Sequence, residues 1–244
     1  MEGLLYKNWR QMFGNLMVLL VTQILCSATE ILFAFFASAG GEMTADDLDI
    51  LTALPTVLTF FMFFFVLMTY QDGLFGFDEK HSWTYFTISA PTGYSGQIRS
   101  KYYFLFAEFV AVFFFAFITD VIVCGIVDDT AYSASMSYML LFSLMLIWAA
   151  IEMPFIVRFG AANGLQIKGA VIGVIALIAM IYFLFGDISI FDEPDVISAI
   201  KEKLDTATAM GIIAVICGLA IPLYCLSYRI SVKLYKKGAE GYEN

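Results

Sequence analysis

Read along the chain, apolar residues gather into six long blocks with polar punctuation between them. The blocks run from about Leu16 to Ala37, Leu51 to Tyr70, Tyr102 to Val127, Met136 to Val157, Gly169 to Gly186 and Ala207 to Ser227. A helix rises about 1.5 Å per residue, so roughly 20 apolar residues cross the ~30 Å hydrocarbon layer of a bilayer. Each block meets or approaches that length, and its apolar residues fall all round a helix instead of on one stripe. The pattern predicts an all-α membrane protein with six transmembrane helices, 1–244 forming a single membrane domain. The first block follows Lys7 and Arg10 and ends at Ala37-Ser38-Ala39, which imitates a leader-cleavage site. Its apolar run far exceeds the roughly 7–15 residues of a secretory leader, so it is expected to stay as a helix.

The aromatic runs Phe60-Phe61-Met62-Phe63-Phe64-Phe65 and Phe113-Phe114-Phe115 point all round a helix, so most of these rings should meet lipid. Pro154 and Pro222 are expected to kink the fourth and sixth spans. Gly169 and Gly173 have the spacing of a close helix contact, a pattern that is frequent by chance.

Three stretches outside the blocks carry their own patterns. In residues 1–15, Leu4, Leu5, Trp9, Met12 and Phe13 recur at helical spacing with Lys7 and Arg10 among them. This predicts an amino-terminal interfacial helix that lies along the membrane before turning into the first span. Residues 72–101 are longer than a connector needs to be. Within them Asp78 is a good N-cap, Glu79 suits a first turn and Pro91 forbids continuation, which frames a helix from Asp78 to Ala90. Residues 187–206 contain Asp192-Glu193-Pro194-Asp195 ahead of Val196, Ile197, Ile200 and Leu204. That order starts an amphipathic helix, which rests on lipid headgroups or, as a family resemblance given below suggests, caps a substrate exit.

Composition agrees with the blocks. The chain is 61% hydrophobic and 14% charged, with a mean hydropathy of +0.83, whereas soluble domains are about 25% charged. The net charge of −9 hides a division. Of the 13 Lys and Arg residues, only Lys201 and Lys203 fall on the side opposite the termini. The positive-inside rule then makes both termini cytoplasmic. Most acidic residues divide the other way, leaving a negative outer face, while Glu30, Glu108, Asp120 and Glu152 fall within the spans. No basic face for nucleic acid exists.

A carboxylate at the bilayer centre costs on the order of 2.5–3.5 kcal/mol on insertion scales, so such acids face protein or water. Glu30, Glu108, Asp120 and Glu152 are therefore candidates either for a polar translocation path or for hydrogen bonding between helices, with Lys101 and Arg158 near enough in sequence to pair with Glu108 and Glu152. Cys26, Cys124, Cys217 and Cys225 all fall in spans and His81 is the sole histidine, so neither a disulfide framework nor a multi-histidine metal site is indicated. No phosphate loop, GxSxG or HExxH motif is present, and catalysis has no visible seat.

The order Asp78-Glu79-Lys80, Trp83, Tyr85, Ser89, Pro91 and then Ser100-Lys101-Tyr102 leading into a span resembles one family. It is similar to the membrane subunits of ATP-binding-cassette exporters of the second permease class, in particular the small six-span group that includes the phenol-soluble-modulin peptide exporters. After Pro91 the chain departs from that pattern, with Thr92-Gly93-Tyr94-Ser95 in place of a small basic turn. The resemblance implies that Asp78 to Ala90 is a coupling helix docking on a separate ABC ATPase subunit, with Asp78, Glu79, Lys80, Trp83, Tyr85 and Pro91 as ATPase-coupling residues. It implies that ATP and Mg are bound by that partner and no cofactor by this chain. It also implies a second permease copy, either the same chain or a close relative.

The expected function is the permease subunit of an ATP-driven exporter in a bacterial plasma membrane, moving an amphipathic or hydrophobic substrate such as a peptide. Two rivals remain. One is an ion- or proton-coupled carrier using the intramembrane carboxylates, and the other is a non-transporting membrane sensor or assembly protein.

Overall fold

The computed structural model describes residues 2–39, 45–80, 93–127, 134–185 and 206–240, all helical except Ala134. Helix α1 spans Glu2–Ala39 and α2 spans Ala45–Tyr70. A π-helical turn, Gln71–Gly76, then carries α2 without interruption into α3, Phe77–Lys80. Next come α4, Gly93–Val127, α5, Ser135–Phe185, and α6, Thr206–Glu240. An all-helical fold is what a bilayer demands, because a helix satisfies its backbone hydrogen bonds within itself.

Among the described residues, five helical stretches are long and apolar enough to cross a membrane: Glu2–Phe36, Ala53–Gly76, Ser95–Val127, Ser135–Gly160 and Gly211–Lys236. The expected span from Gly169 to Gly186 falls on the second part of α5, where many side chains lie outside the described residues. The expected helix within 187–206 also lies outside them, except for the start of α6 at Thr206.

Helix α1 packs along α4, and α5 along α6, with α2 between α1, α4 and α5. Phe63, Leu105, Phe109, Leu146 and Met153 are fully buried where α2, α4 and α5 meet. Phe63 meets Phe109 edge-on at 5.6 Å between ring centres. Of the aromatic runs, Phe63 turns inward while Phe60, Phe61, Phe114 and Phe115 face outward, so the rings divide between core and lipid side. The outward surface stays apolar along most of its length, with Phe36 70% exposed and Ile178 60% exposed.

Three expectations need correction. No turn separates an interfacial helix from the first span: α1 is one helix of 38 residues, about 57 Å long and well beyond the hydrocarbon thickness. Its first turns pack Asn8 and Met12 inward while Tyr6, Trp9 and Phe13 face out. The stripe read from the sequence is thus divided between core and surroundings. Second, Pro154 lies inside α5, but the backbone breaks at Gly160, with φ 84° and ψ 171°. A glycine alone reaches that conformation cheaply, so the non-helical break in α5 falls at Gly160, six residues beyond Pro154. Third, a Cβ placed on Gly169 or Gly173 would meet nothing within 4 Å, so among the described residues neither glycine serves a close helix contact.

Candidate coupling site

The end of the bundle where α1 begins, α2 ends and α4 begins holds a buried polar cluster. Its centre is Asp78, on α3 and 2% exposed. Lys7 Nζ, from α1, donates to Asp78 Oδ1 at 2.6 Å. Lys101 Nζ, from α4, reaches Asp78 Oδ2 at 2.9 Å, and Gln97 Nε2 donates to the same oxygen at 3.4 Å. Burial alone favours the neutral acid. The two ammonium groups outweigh it and hold the Asp78 carboxyl below the usual carboxylate range.

The π-helical turn supplies the rest of the cradle. Its Leu74 carbonyl accepts from Lys101 Nζ at 3.0 Å, and the Gly73 carbonyl accepts from Gln11 Nε2 at 2.7 Å. Lys101 Nζ also lies 3.8 Å from the centre of the Phe75 ring, a favourable cation–π position. The Tyr70 hydroxyl donates to the Lys101 carbonyl. A Cβ on Gly73 would overlap the sulfur of Met12, so the turn approaches α1 as closely as a residue without a side chain permits. Widened turns of this kind collect at functional sites, because they redirect carbonyls that a regular helix would keep to itself.

The cluster extends to every neighbouring helix. Asn8 Nδ2 donates to Ser100 Oγ at 3.2 Å, and Ser100 Oγ donates to the Gln97 carbonyl at 2.7 Å. Tyr235 of α6 donates to Gln97 Oε1 at 3.4 Å. A small recess of about 60 Å³ beside Asp78 and Lys101 is lined by Phe75, Ile156, Val157 and Gly160, so the glycine break of α5 borders the same site. Asp78 therefore does not cap a new helix, as the sequence pattern suggests. It sits in continuous helix, and its carboxylate joins α1 and α4 to the root of the segment that follows.

Of the other expected coupling residues, Glu79 and Lys80 have described backbone only, and Trp83, Tyr85 and Pro91 lie outside the described residues. Lys7 and Lys101 are what sequence reasoning missed at this site. Each reads alone as a basic flank of a span. The available signal was the position of Lys101, one residue ahead of an apolar block and within a helix turn of Gln97 and Ser100.

The four intramembrane carboxylates are all buried in protein, and they do not form one group. Glu30 of α1, Asp120 of α4 and Tyr138 of α5 lie near one another. Asp120 Oδ1 also accepts from the Ala134 backbone N–H at 2.9 Å, which ties α4 to the start of α5. Beside this pair Thr119 Oγ1 donates to Ser27 Oγ at 2.8 Å. Glu108 sits near Tyr70 and Tyr224 instead, with Oε2 buried and no hydrogen-bond partner among the described residues. Glu152 is buried on α5. Lys101, one of the bases expected near Glu108 and Glu152, reaches Asp78, and Arg158 is exposed.

Between α4 and α6 the Tyr102 hydroxyl shares hydrogen bonds with Ser227 Oγ at 2.7 Å and Ser231 Oγ at 2.8 Å, while Tyr224 donates to the Tyr102 carbonyl at 2.8 Å. These bonds lock α6 to α4 just inside the Asp78 cluster. Among the described residues no group of His, Cys, Asp and Glu is arranged to hold a metal ion.

Residues 17–236 match the family described as ABC-2 family transporter protein. No curated protein and no solved structure matches the chain.

Proposed function

The chain belongs to the ABC-2 transporter family, whose match covers nearly its whole length, and from that premise we propose that it is the permease subunit of an ATP-driven exporter. Its cargo is an amphipathic or hydrophobic molecule of the peptide class. Six spans, with both termini cytoplasmic, cross a bacterial plasma membrane. ATP and Mg²⁺ bind to separate ABC ATPase subunits, and a second permease copy completes the unit.

The observation that carries this reading is the Asp78 cluster. Residues 81–92 follow Lys80 and carry Trp83, Tyr85 and Pro91 of the stretch expected to meet the ATPase. A force applied there enters the bundle at a carboxylate fixed by Lys7 on α1 and Lys101 on α4. Fully packed cores and buried ion pairs transmit displacement instead of absorbing it. Motion of the segment thus tilts two spans together, while the Gly160 break beside the cluster lets the two parts of α5 move separately.

The test is co-expression with candidate ABC ATPase subunits from the same genome. The expected result is a complex that hydrolyses ATP and exports cargo, with Trp83→Ala weakening association or separating hydrolysis from export. A chain that never associates with an ATPase overturns the reading. The Glu30–Asp120 juxtaposition favours one competitor, a proton-coupled carrier. That competitor predicts transport without ATP that collapses with the proton gradient.

A further inference from the structure

A groove of about 410 Å³ opens between α4 and α6 on the outward surface, beside the Tyr102–Ser227–Ser231 lock. Its volume is that of a small-molecule site. Its inner wall is apolar and aromatic, from Phe106, Leu146 and Tyr224. Its rim carries two exposed guanidinium groups, Arg99 on α4 and Arg229 on α6. Arg99 is held in place by Tyr103, whose hydroxyl accepts from Nη2 at 3.0 Å and whose ring centre lies 5.3 Å from Cζ. Among the described residues no carboxylate lines the groove, and none of the four intramembrane acids does so.

We propose that this groove is a binding site for an anionic phospholipid, with its phosphate between Arg99 and Arg229 and an acyl chain along Phe106, Leu146 and Tyr224. The two arginines fix the sign of the headgroup charge, and planar guanidinium groups suit phosphate oxygens. Basic pockets between membrane helices bind anionic headgroups in this way. The groove also lies at the same end of the bundle as Lys7, Lys101 and Lys233, where tyrosines belong at headgroup level. The inference uses the preceding reading only to call that end cytoplasmic, and it is independent of cargo and direction. An occupied groove would brace α6 against α4 beside the coupling cluster, which makes the lipid a structural ligand of the moving helices.

Native mass spectrometry of the full-length chain in detergent, with phosphatidylglycerol or phosphatidylcholine added, tests the proposal. Two arginines near the membrane surface predict a preference for the anionic lipid of about thirtyfold. Arg99→Gln with Arg229→Gln should bring the ratio close to one, and Arg99→Lys with Arg229→Lys should restore most of it, which separates lost charge from lost folding. Equal retention of the two lipids, or a preference unchanged in the glutamine variant, overturns the proposal. Cys225 lines the groove and is exposed, so it reports a different occupant. A variant retaining only this cysteine that oxidises to a Cys225–Cys225 dimer in membranes would show the groove covered by a second copy, again overturning the proposal. Failure of either kind leaves association with the ATPase untouched.

Discussion

Replacing Asp78 by Asn removes one negative charge from a place where two ammonium groups converge at 2.6 and 2.9 Å. Asparagine keeps the size and one acceptor but cannot balance Lys101, whose side chain is 4% exposed. Breaking a buried pair by removing one member costs about 3–5 kcal/mol. Lys7, with 18% of its side chain exposed, can turn toward water, and the Leu74 carbonyl and Phe75 ring continue to face Lys101. These place the cost near the lower figure, about 3 kcal/mol. For a chain of this size that corresponds to a fall in unfolding midpoint of about 6–12 °C, read by tyrosine and tryptophan fluorescence of the purified protein in detergent. Lys101→Met in the Asp78→Asn background removes the unbalanced ammonium, so the double variant should recover at least half of the loss. A midpoint within 2 °C of wild type for Asp78→Asn, or single-variant losses that simply add in the double variant, would refute the view of Asp78 as the electrostatic centre of this end.

Acid should act on the same carboxyl. Its folded-state pKa lies below the unfolded value of roughly 3.9, so its contribution is complete above that value and disappears as pH falls through the lower folded one; below about pH 4 the stability gap between wild type and Asp78→Asn should close. Gly73→Val should loosen α1 from the π-helical turn by pushing on Met12, costing about 1–3 kcal/mol as overpacking does, with faster proteolysis of the amino-terminal turns as the readout. Gly160→Ala forces a side chain into φ 84°, a cost on the order of 1–3 kcal/mol, and export should slow more than ATPase binding weakens. Asp120→Asn keeps an acceptor for the Ala134 N–H while removing one of two neighbouring acids, so ATP-driven export should survive it, whereas a proton-coupled carrier would stop.

Five of the six expected spans were legible because a bilayer imposes one crude rule of length and apolarity, which blocks such as Tyr102 to Val127 obey. The Asp78 cluster was not. Lys7, Asp78 and Lys101 are far apart in sequence, and each has an ordinary local reading as a topogenic base or a helix cap. Only packing brings them together. Asp78 shows the limit most clearly: its N-cap reading assumed a break before it, whereas Gln71–Gly76 continues as a wide helical turn. Local propensity marked Pro154 but gave no sign of the break at Gly160, because a glycine's positive φ is set by packing and not by its neighbours in sequence. The Tyr102–Ser227–Ser231 lock was hidden for the same reason as the ion pairs, since hydroxyls in apolar blocks carry no signal of which helix they will meet.

In the proposed mechanism the ATPase drives this permease through the segment rooted at Asp78. The most direct measurement is ATP-dependent cargo movement in vesicles containing the chain and its ATPase, compared between wild type, Trp83→Ala and Asp78→Asn. The expected result is that ATP hydrolysis persists in assembled Asp78→Asn complexes while movement per ATP falls at least tenfold. Movement that continues at the wild-type rate in both variants, or that proceeds without ATP, would contradict it.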